Sequence, residues 1–455
     1  VQGTTTHYKM TNMERMPEDE TACPDSGRRP SGRTDRGPDR GADGGPDGGA
    51  DGGPGPERSG TDAIGCPFDF SEDLAFDPAL ADLMEQGPVT RVRLPHGDSE
   101  AWLVTSYNGV QQVTTDPRLS RAAIVGRDYP RLTPEPIVSP ESINVIDPPD
   151  SQRLRRAVTQ AFTKPRVRRM RPAIEQVTGA LLDEMAAHGP PADLVTHLSL
   201  KLPHHTICEL LDVDRADRAL LLEYTHRMLT TAPGQKQESA DAKRHLRAYF
   251  GRLVRQRRDR PGEDLISTLA AASDEPLSDD ELAVLAMTLL LSGNDTATCQ
   301  ISNISYTLLT QPHWWDRLVA HPERLPEVLD ELLRIIPFRK GVGIPRLALA
   351  DVEIDGTLVR AGDFVHVSYL TANRDPEVFA RPHAFDPDRP SRPHMTFGWG
   401  GHHCVAAPLA MEELQVALGA LLTRFPGLRL AVPKSELRWD TETIRRFPLE
   451  LPVTW

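Results

Sequence analysis

Residues 278–309, SDDELAVLAMTLLLSGNDTATCQISNISYTLL, limit the architecture more than any other part of the chain. The run opens with Ser278 and Glu281, a Ser-x-x-Glu pattern in which each side chain satisfies a backbone N–H at a helix start. Apolar residues then continue to about Leu309, so the pattern predicts a helix of roughly 30 residues, about 45 Å long at 1.5 Å per residue. Ordinary helices are about a third of that length, and one this long crosses a whole domain. Inside it sits the polar sequence Ser-Gly-Asn-Asp-Thr, residues 292–296. Such a cluster is costly in an apolar helix unless it serves something. A threonine there can also bond into the helix ladder and open a local groove. The longest uninterrupted apolar stretch, residues 282–291, is too short to span a bilayer.

The flanking segments add shorter elements. Residues 324–336, RLPEVLDELLRII, have amphipathic helical spacing. Residues 351–370 alternate apolar and polar positions around Asp355-Gly356, a hairpin signal. Residues 405–425 read as a helix whose Pro408 falls in the tolerated first turn. Helices, then a small sheet, then helices predict a mainly α fold with small β-sheets, an α+β domain. By contrast, GADGGPDGGADGGPGP at 41–56 offers nothing to bury. Residues 1–62 are therefore expected to be disordered, and 63–455 to form the domain.

Charge and cysteine usage narrow the function. A net charge of −13 speaks against a nucleic-acid binder. The five cysteines are an odd number and widely scattered, which favours a reducing compartment over a disulfide framework. The first residues lack the apolar core of a signal peptide. The expectation is a cytoplasmic protein with no membrane partner.

The chemistry concentrates in HMTFGWGGHHC, residues 394–404. Zinc needs about four converging ligands, and the adjacent His402, His403 and Cys404 cannot all meet one tetrahedral ion. A phosphate loop would follow a strand and carry Lys-Ser/Thr, both missing here. A buried structural cysteine is the plain alternative. Cys404, however, stands at a predicted helix start, where free N–H groups and the helix dipole stabilise a thiolate. Gly398, Gly400 and Gly401 let the backbone press against a flat ligand, Phe397 and Trp399 can pack beside it, and His402 can offer a ring nitrogen to an acidic substituent. A thiolate at a helix start beneath a planar group is the arrangement that a haem-thiolate iron requires.

At this point the chain resembles the cytochrome P450 family, of the soluble bacterial type. The family signature F-x-x-G-x-[HR]-x-C-x-G is matched by Phe397, Gly400, His402 and Cys404, with Ala406 at the last glycine. Glu331 and Arg334 match E-x-x-R, on one helix face by their spacing, and Arg389 in FDPDRP matches the usual third member. LSGNDTAT matches [AG]-G-x-[DE]-T through Gly293, Asp295 and Thr296, with Ser292 at the first small residue. DPPDSQRLR matches D-P-P-x-H-x-x-x-R through Arg155, but Ser151 replaces the histidine.

The resemblance implies a P450 fold with haem b between the long helix and the helix after Cys404. It implies Cys404 as iron ligand, with Gly293 and Phe397 at the cofactor and Arg155, Arg346 and His402 on its propionates. Thr296 would hydrogen-bond dioxygen, and Asp295 would relay protons through water. The implied activity is O2-dependent oxidation of a small organic molecule; a haem sensor or carrier without turnover is the other reading. Arg far outnumbers Lys, a bias of high-GC bacteria, where many relatives tailor secondary metabolites. Residues 153–171 hold seven arginines and Lys164 with no acidic residue. That patch suits an acidic ferredoxin, and without a flavin or nicotinamide motif, electrons must come from a ferredoxin and its reductase. The expected pocket segments lie before the DPPD stretch, near 226–237, and at 335–343, where Arg339 and Lys340 either bind an acidic substrate group or face solvent.

Overall fold

In the computed structural model, which describes residues 73–271, 276–390 and 392–455, the long helix runs unbroken from Asp279 to Leu309. Its capping box forms: the Ser278 side chain accepts from Glu281 N–H, and the Glu281 carboxylate accepts from Ser278 N–H. Three acidic residues in the first turn, Asp279, Asp280 and Glu281, oppose the positive end of the helix dipole. The helices Lys236–Asp259, Lys201–Leu210 and Ala407–Arg424 pack around it. By length and composition it could cross a membrane, but 78% of its apolar window is buried inside the protein, which makes it a core helix. The expected disorder of residues 1–62 and the boundary at 63 lie outside the described residues.

Among the described residues, three small sheets accompany the helices. The largest has the strand order Val89–Val92, Ala101–Val104, Phe364–Val367, Arg346–Ala348 and Leu119–Ser120. Only the contact between Ala101–Val104 and Phe364–Val367 is parallel. The predicted hairpin forms from Val352–Ile354 and Thr357–Val359 about Asp355-Gly356. Pro452–Thr454 pairs with both Ala192–Asp193 and Arg429–Leu430, tying the C-terminal strand to the helical side.

Two further helices position the chemistry. Leu325–Ile335 buries Leu325, Val328, Leu329, Leu332 and Leu333 on one face, and carries Glu331 and Arg334 into the interior with them. Ala407–Arg424 begins with Pro408 in its first turn and buries Leu414, Leu418 and Leu421 against the main core. Cys404 therefore sits just ahead of a helix anchored deep in the protein.

Candidate functional site

The loop before Ala407 is shaped by backbone contacts. Gly398 N–H donates to the Met395 carbonyl, His403 N–H to Gly400, and Cys404 N–H to Phe397 at 2.8 Å. Gly400 has φ +67°, and a Cβ there would stand 2.4 Å from the Thr114 carbonyl oxygen, so no other residue fits without displacing the helix Tyr107–Thr115. Cys404 is accessible, yet protein surrounds it closely enough that burial raises its thiol pKa. The N–H groups of Ala406 and Ala407 and the Arg155 guanidinium act the other way. Dipole and N–H groups alone thus do not prevail over burial, whereas a coordinated cation deprotonates a thiol outright. Phe397 lies 6.0 Å from the His394 ring and 6.5 Å from that of His403, between centroids. Trp399 instead packs edge-on to Tyr107, on the sheet side.

Arg346 and His402 come together in one buried cluster. Both terminal nitrogens of Arg346 and the Nδ1 of His402 are buried without a hydrogen-bond partner. His402 Nε2 is 3.5 Å from Asp147. Burial, reinforced by Arg121 and Arg346 against Asp147, pushes the His402 ring down to about 4, so it is neutral at pH 7. Burial acts to raise Asp147, but hydrogen bonds from His402, Ser120 and the backbone of Ala122 and Arg121 hold it at about 2. The Arg155 guanidinium donates to the His403 carbonyl, next to Cys404. Ser151 is buried with its hydroxyl unpartnered.

On the long helix, Thr288, Ser292 and Thr296, spaced by four, form an accessible stripe among buried neighbours. The Thr296 hydroxyl donates to the Ser292 carbonyl at 2.7 Å. It does so without interrupting the helix, contrary to the expected local opening. A Cβ at Gly293 would meet Ile207 at 3.3 Å, so this glycine accommodates the close approach of the helix Lys201–Leu210. Asp295 is 1% exposed; its Oδ2 accepts from Arg339 at 2.8 Å, while its Oδ1 is 3.6 Å from Arg445 Nε and has no hydrogen-bond partner. Arg445 also pairs with Asp440 at 3.1 Å and contacts His226. Arg339 is therefore committed to Asp295, and Lys340 donates to the Thr441 carbonyl, so neither stands free for an acidic substrate.

Beneath the cysteine loop, Glu331 and Arg334 form a bidentate pair with both bonds at 2.8 Å, and Arg389 reaches Glu331 at 3.3 Å. Arg334 also donates to the carbonyls of Asn373, Pro382 and Ala384. The Asn373 side chain in turn accepts from Met395 N–H and donates to the Thr396 hydroxyl. This chain of bonds connects the ion pair to the start of the loop that carries Cys404. Asn373, Thr396, Arg121 and the segment 440–446 carried no signal in the sequence reading, because their roles depend on contacts remote in the chain.

A thiol ringed by N–H donors, glycines beside it, and unpartnered guanidinium and imidazole nitrogens nearby suit a planar metal complex bearing carboxylates. The family model described as Cytochrome P450 matches residues 205–436. Nocardicin C N-oxygenase of Nocardia uniformis subsp. tsuyamanensis is 43% identical over 397 residues, covering 87% of this chain and 99% of that protein. Mycinamicin IV hydroxylase/epoxidase of Micromonospora griseorubida is 42% identical, covering 86% and 98%. A solved cytochrome P450mel with biaryl coupling reactivity aligns with TM-score 0.85 and 57% identity, covering 86% of this chain and 100% of that one. With its long core helix, buried Glu331–Arg334 pair and Cys404 loop, the chain belongs to the cytochrome P450 family of oxygen-using haem-thiolate oxidoreductases.

Proposed function

We propose that the protein is a cytoplasmic haem b monooxygenase that oxidises a small, hydroxyl-bearing organic molecule of secondary metabolism. The observation that carries this reading is the accessible Cys404 at a helix start, with the unpartnered nitrogens of Arg346 and His402 close by in sequence or sheet. Those residues fit haem: a thiolate for the iron, and guanidinium and imidazole donors for two carboxylates. Arg155, bonded to the His403 carbonyl, steadies the loop and places a positive charge near the sulfur. When bound, haem supplies the reductive activation of dioxygen.

The chain's own groups manage protons and substrate. The Thr296 Oγ1 lies on the accessible stripe and holds a hydrogen bond that could be redirected from the Ser292 carbonyl to a group or water in the site. Buried Asp295, whose Oδ1 has no hydrogen-bond partner, relays protons through water. Arg339, about one-third exposed, holds the other carboxylate oxygen and can release it as the side chain swings. Arg339, Arg445 and His226 gather around Asp295. Biaryl coupling, the reactivity of the 57%-identical relative, is the reaction to test first.

Electrons are proposed to arrive from a ferredoxin and its reductase. Arg156, Lys164, Arg166, Arg168 and Arg169 are exposed and have no ion-pair partner among the described residues. Of these, Arg156 lines a cleft of about 540 Å³ with Gln152, Arg155, Thr163, Gly400 and Gly401, so the cationic rim reaches toward the Cys404 loop. An acidic ferredoxin complements that rim, with attraction screened by salt.

The test is reconstitution with ferredoxin, reductase and reduced nicotinamide across a panel of phenols, scoring product and hydrogen peroxide against reductant consumed. Coupled product formation is expected in the wild type. Thr296→Ala should divert reductant to peroxide, and Asp295→Asn should slow the whole cycle. A Thr296→Ala enzyme that remains fully coupled would refute the role given to that hydroxyl.

A further inference from the structure

The position that usually bears a propionate-binding histidine is Ser151 here, and the structure supplies a cation nearby that no family motif points to. Strand Leu119–Ser120 pairs antiparallel with Arg346–Ala348, with Leu119 opposite Ala348 and Ser120 opposite Leu347. Arg121 directly follows Ser120, where the strand gives way to the turn Ala122–Ile124, and its guanidinium lies close enough to Arg346 to feel that charge. Both are buried, Arg121 at 7% exposure and Arg346 at 2%.

Like charges close together in a protein interior repel, and burying them unpaired costs more. Among the described residues, no carboxylate hydrogen-bonds either guanidinium. Arg121 donates through Nη1 to the Asn144 carbonyl at 3.0 Å, and its Nε has no partner; neither terminal nitrogen of Arg346 has one. Asp147 is the nearest carboxylate, but its oxygens accept from Ser120, from the backbone N–H groups of Arg121 and Ala122, and face His402. The Tyr369 side chain also lies against Arg346, but it brings no carboxylate. The pocket thus carries more positive than negative charge and several idle donors.

We propose that Arg121 is a haem-carboxylate anchor beside Arg346, supplying the contact that Ser151 cannot make. This rests on the haem reading above. The haem's two carboxylates balance the two guanidiniums, and Asp147 is left to orient His402. The Ser151 hydroxyl, buried and unpartnered, marks the place of the missing imidazole.

The experiment follows haem transfer from the holoenzyme to excess apomyoglobin, together with the reduction potential of the haem-loaded protein. Arg121→Gln keeps an amide that can still donate to the Asn144 carbonyl but removes the charge. A charge-assisted bond is worth enough that haem should leave about tenfold faster or more. The potential should become more negative, since a cation near the carboxylates is gone. Arg121→Lys should restore both readouts toward wild type. Adding Ser151→His to Arg121→Gln should restore retention, because an imidazole then occupies the usual place. Wild-type haem loss and potential in Arg121→Gln would overturn the proposal. So would faster loss with an unchanged potential and no rescue by lysine or by Ser151→His, the pattern of a purely structural arginine. If the wild type itself shows no thiolate-type CO spectrum, the haem reading fails first, and that result is separate from every variant comparison.

Discussion

Replacing Glu331 by alanine should remove the keystone of the interior beneath the cysteine loop. Glu331 accepts two 2.8 Å bonds from Arg334, one at 3.3 Å from Arg389, and one at 3.0 Å from Asp386 N–H, at 6% exposure. Its loss leaves two guanidiniums without a carboxylate. Breaking a buried pair typically costs about 3–5 kcal/mol. Arg334 keeps the carbonyls of Asn373, Pro382 and Ala384, and Arg389 keeps those of Ala380, Arg381 and Ala384. That residual solvation sets the expectation near the lower end, about 3 kcal/mol, which is a large share of a typical total of about 5–15 kcal/mol. Because Arg334 reaches the cysteine loop through Asn373, haem content should fall together with stability. The assay is urea unfolding by far-ultraviolet circular dichroism, with haem measured per polypeptide. Glu331→Gln, which retains one acceptor and the side-chain shape, should fall between wild type and alanine. An alanine variant with an unmoved midpoint and full haem content would refute the reasoning.

Two further outcomes follow from single positions. Gly400→Ala, at φ +67° and 2.4 Å from the Thr114 carbonyl oxygen, should destabilise the loop by about 2 kcal/mol and lower haem retention, whereas Gly427→Ala, with nothing within 4 Å, should be near neutral by thermal melting. Glu413 is fully buried, and burial pushes its carboxyl up to about 8 against the hydrogen bond from Thr206. Between about 4.5 and 8 the unfolded chain ionises this group while the folded chain keeps it protonated, so it lowers stability as pH rises through that window. At pH 7 the cost is up to about 3 kcal/mol, and Glu413→Gln should recover it and flatten this part of the stability profile; parallel pH profiles for the two proteins would contradict the assignment.

The parts of the fold legible in the sequence are those encoded by local spacing. The capping box fixed the start of the long helix at Ser278, the apolar run carried it to Leu309, and Asp355-Gly356 located the hairpin. The Glu331–Arg334 spacing likewise announced a shared helix face. What depended on partners remote in the chain was not legible. Gly293 turns toward Ile207 because of how two helices cross, a fact absent from the pattern within either helix. Arg339 looked like a free cation until Asp295 was found beside it. Arg121 has no neighbour in the chain that signals its place; only the folded chain brings it near Arg346. Trp399 sits in the most suggestive run of the sequence, yet it packs against Tyr107, because the turn at Gly400 aims it at the sheet.

The central claim is that Cys404, and no histidine, ligates the haem iron. The direct measurement is the CO spectrum of the dithionite-reduced protein, recorded for the wild type and for Cys404→Ser. Thiolate ligation should give the strongly red-shifted Soret band in the wild type, and the band should disappear in the variant. A histidine-type spectrum in the wild type, or a thiolate-type band that survives Cys404→Ser, would contradict it.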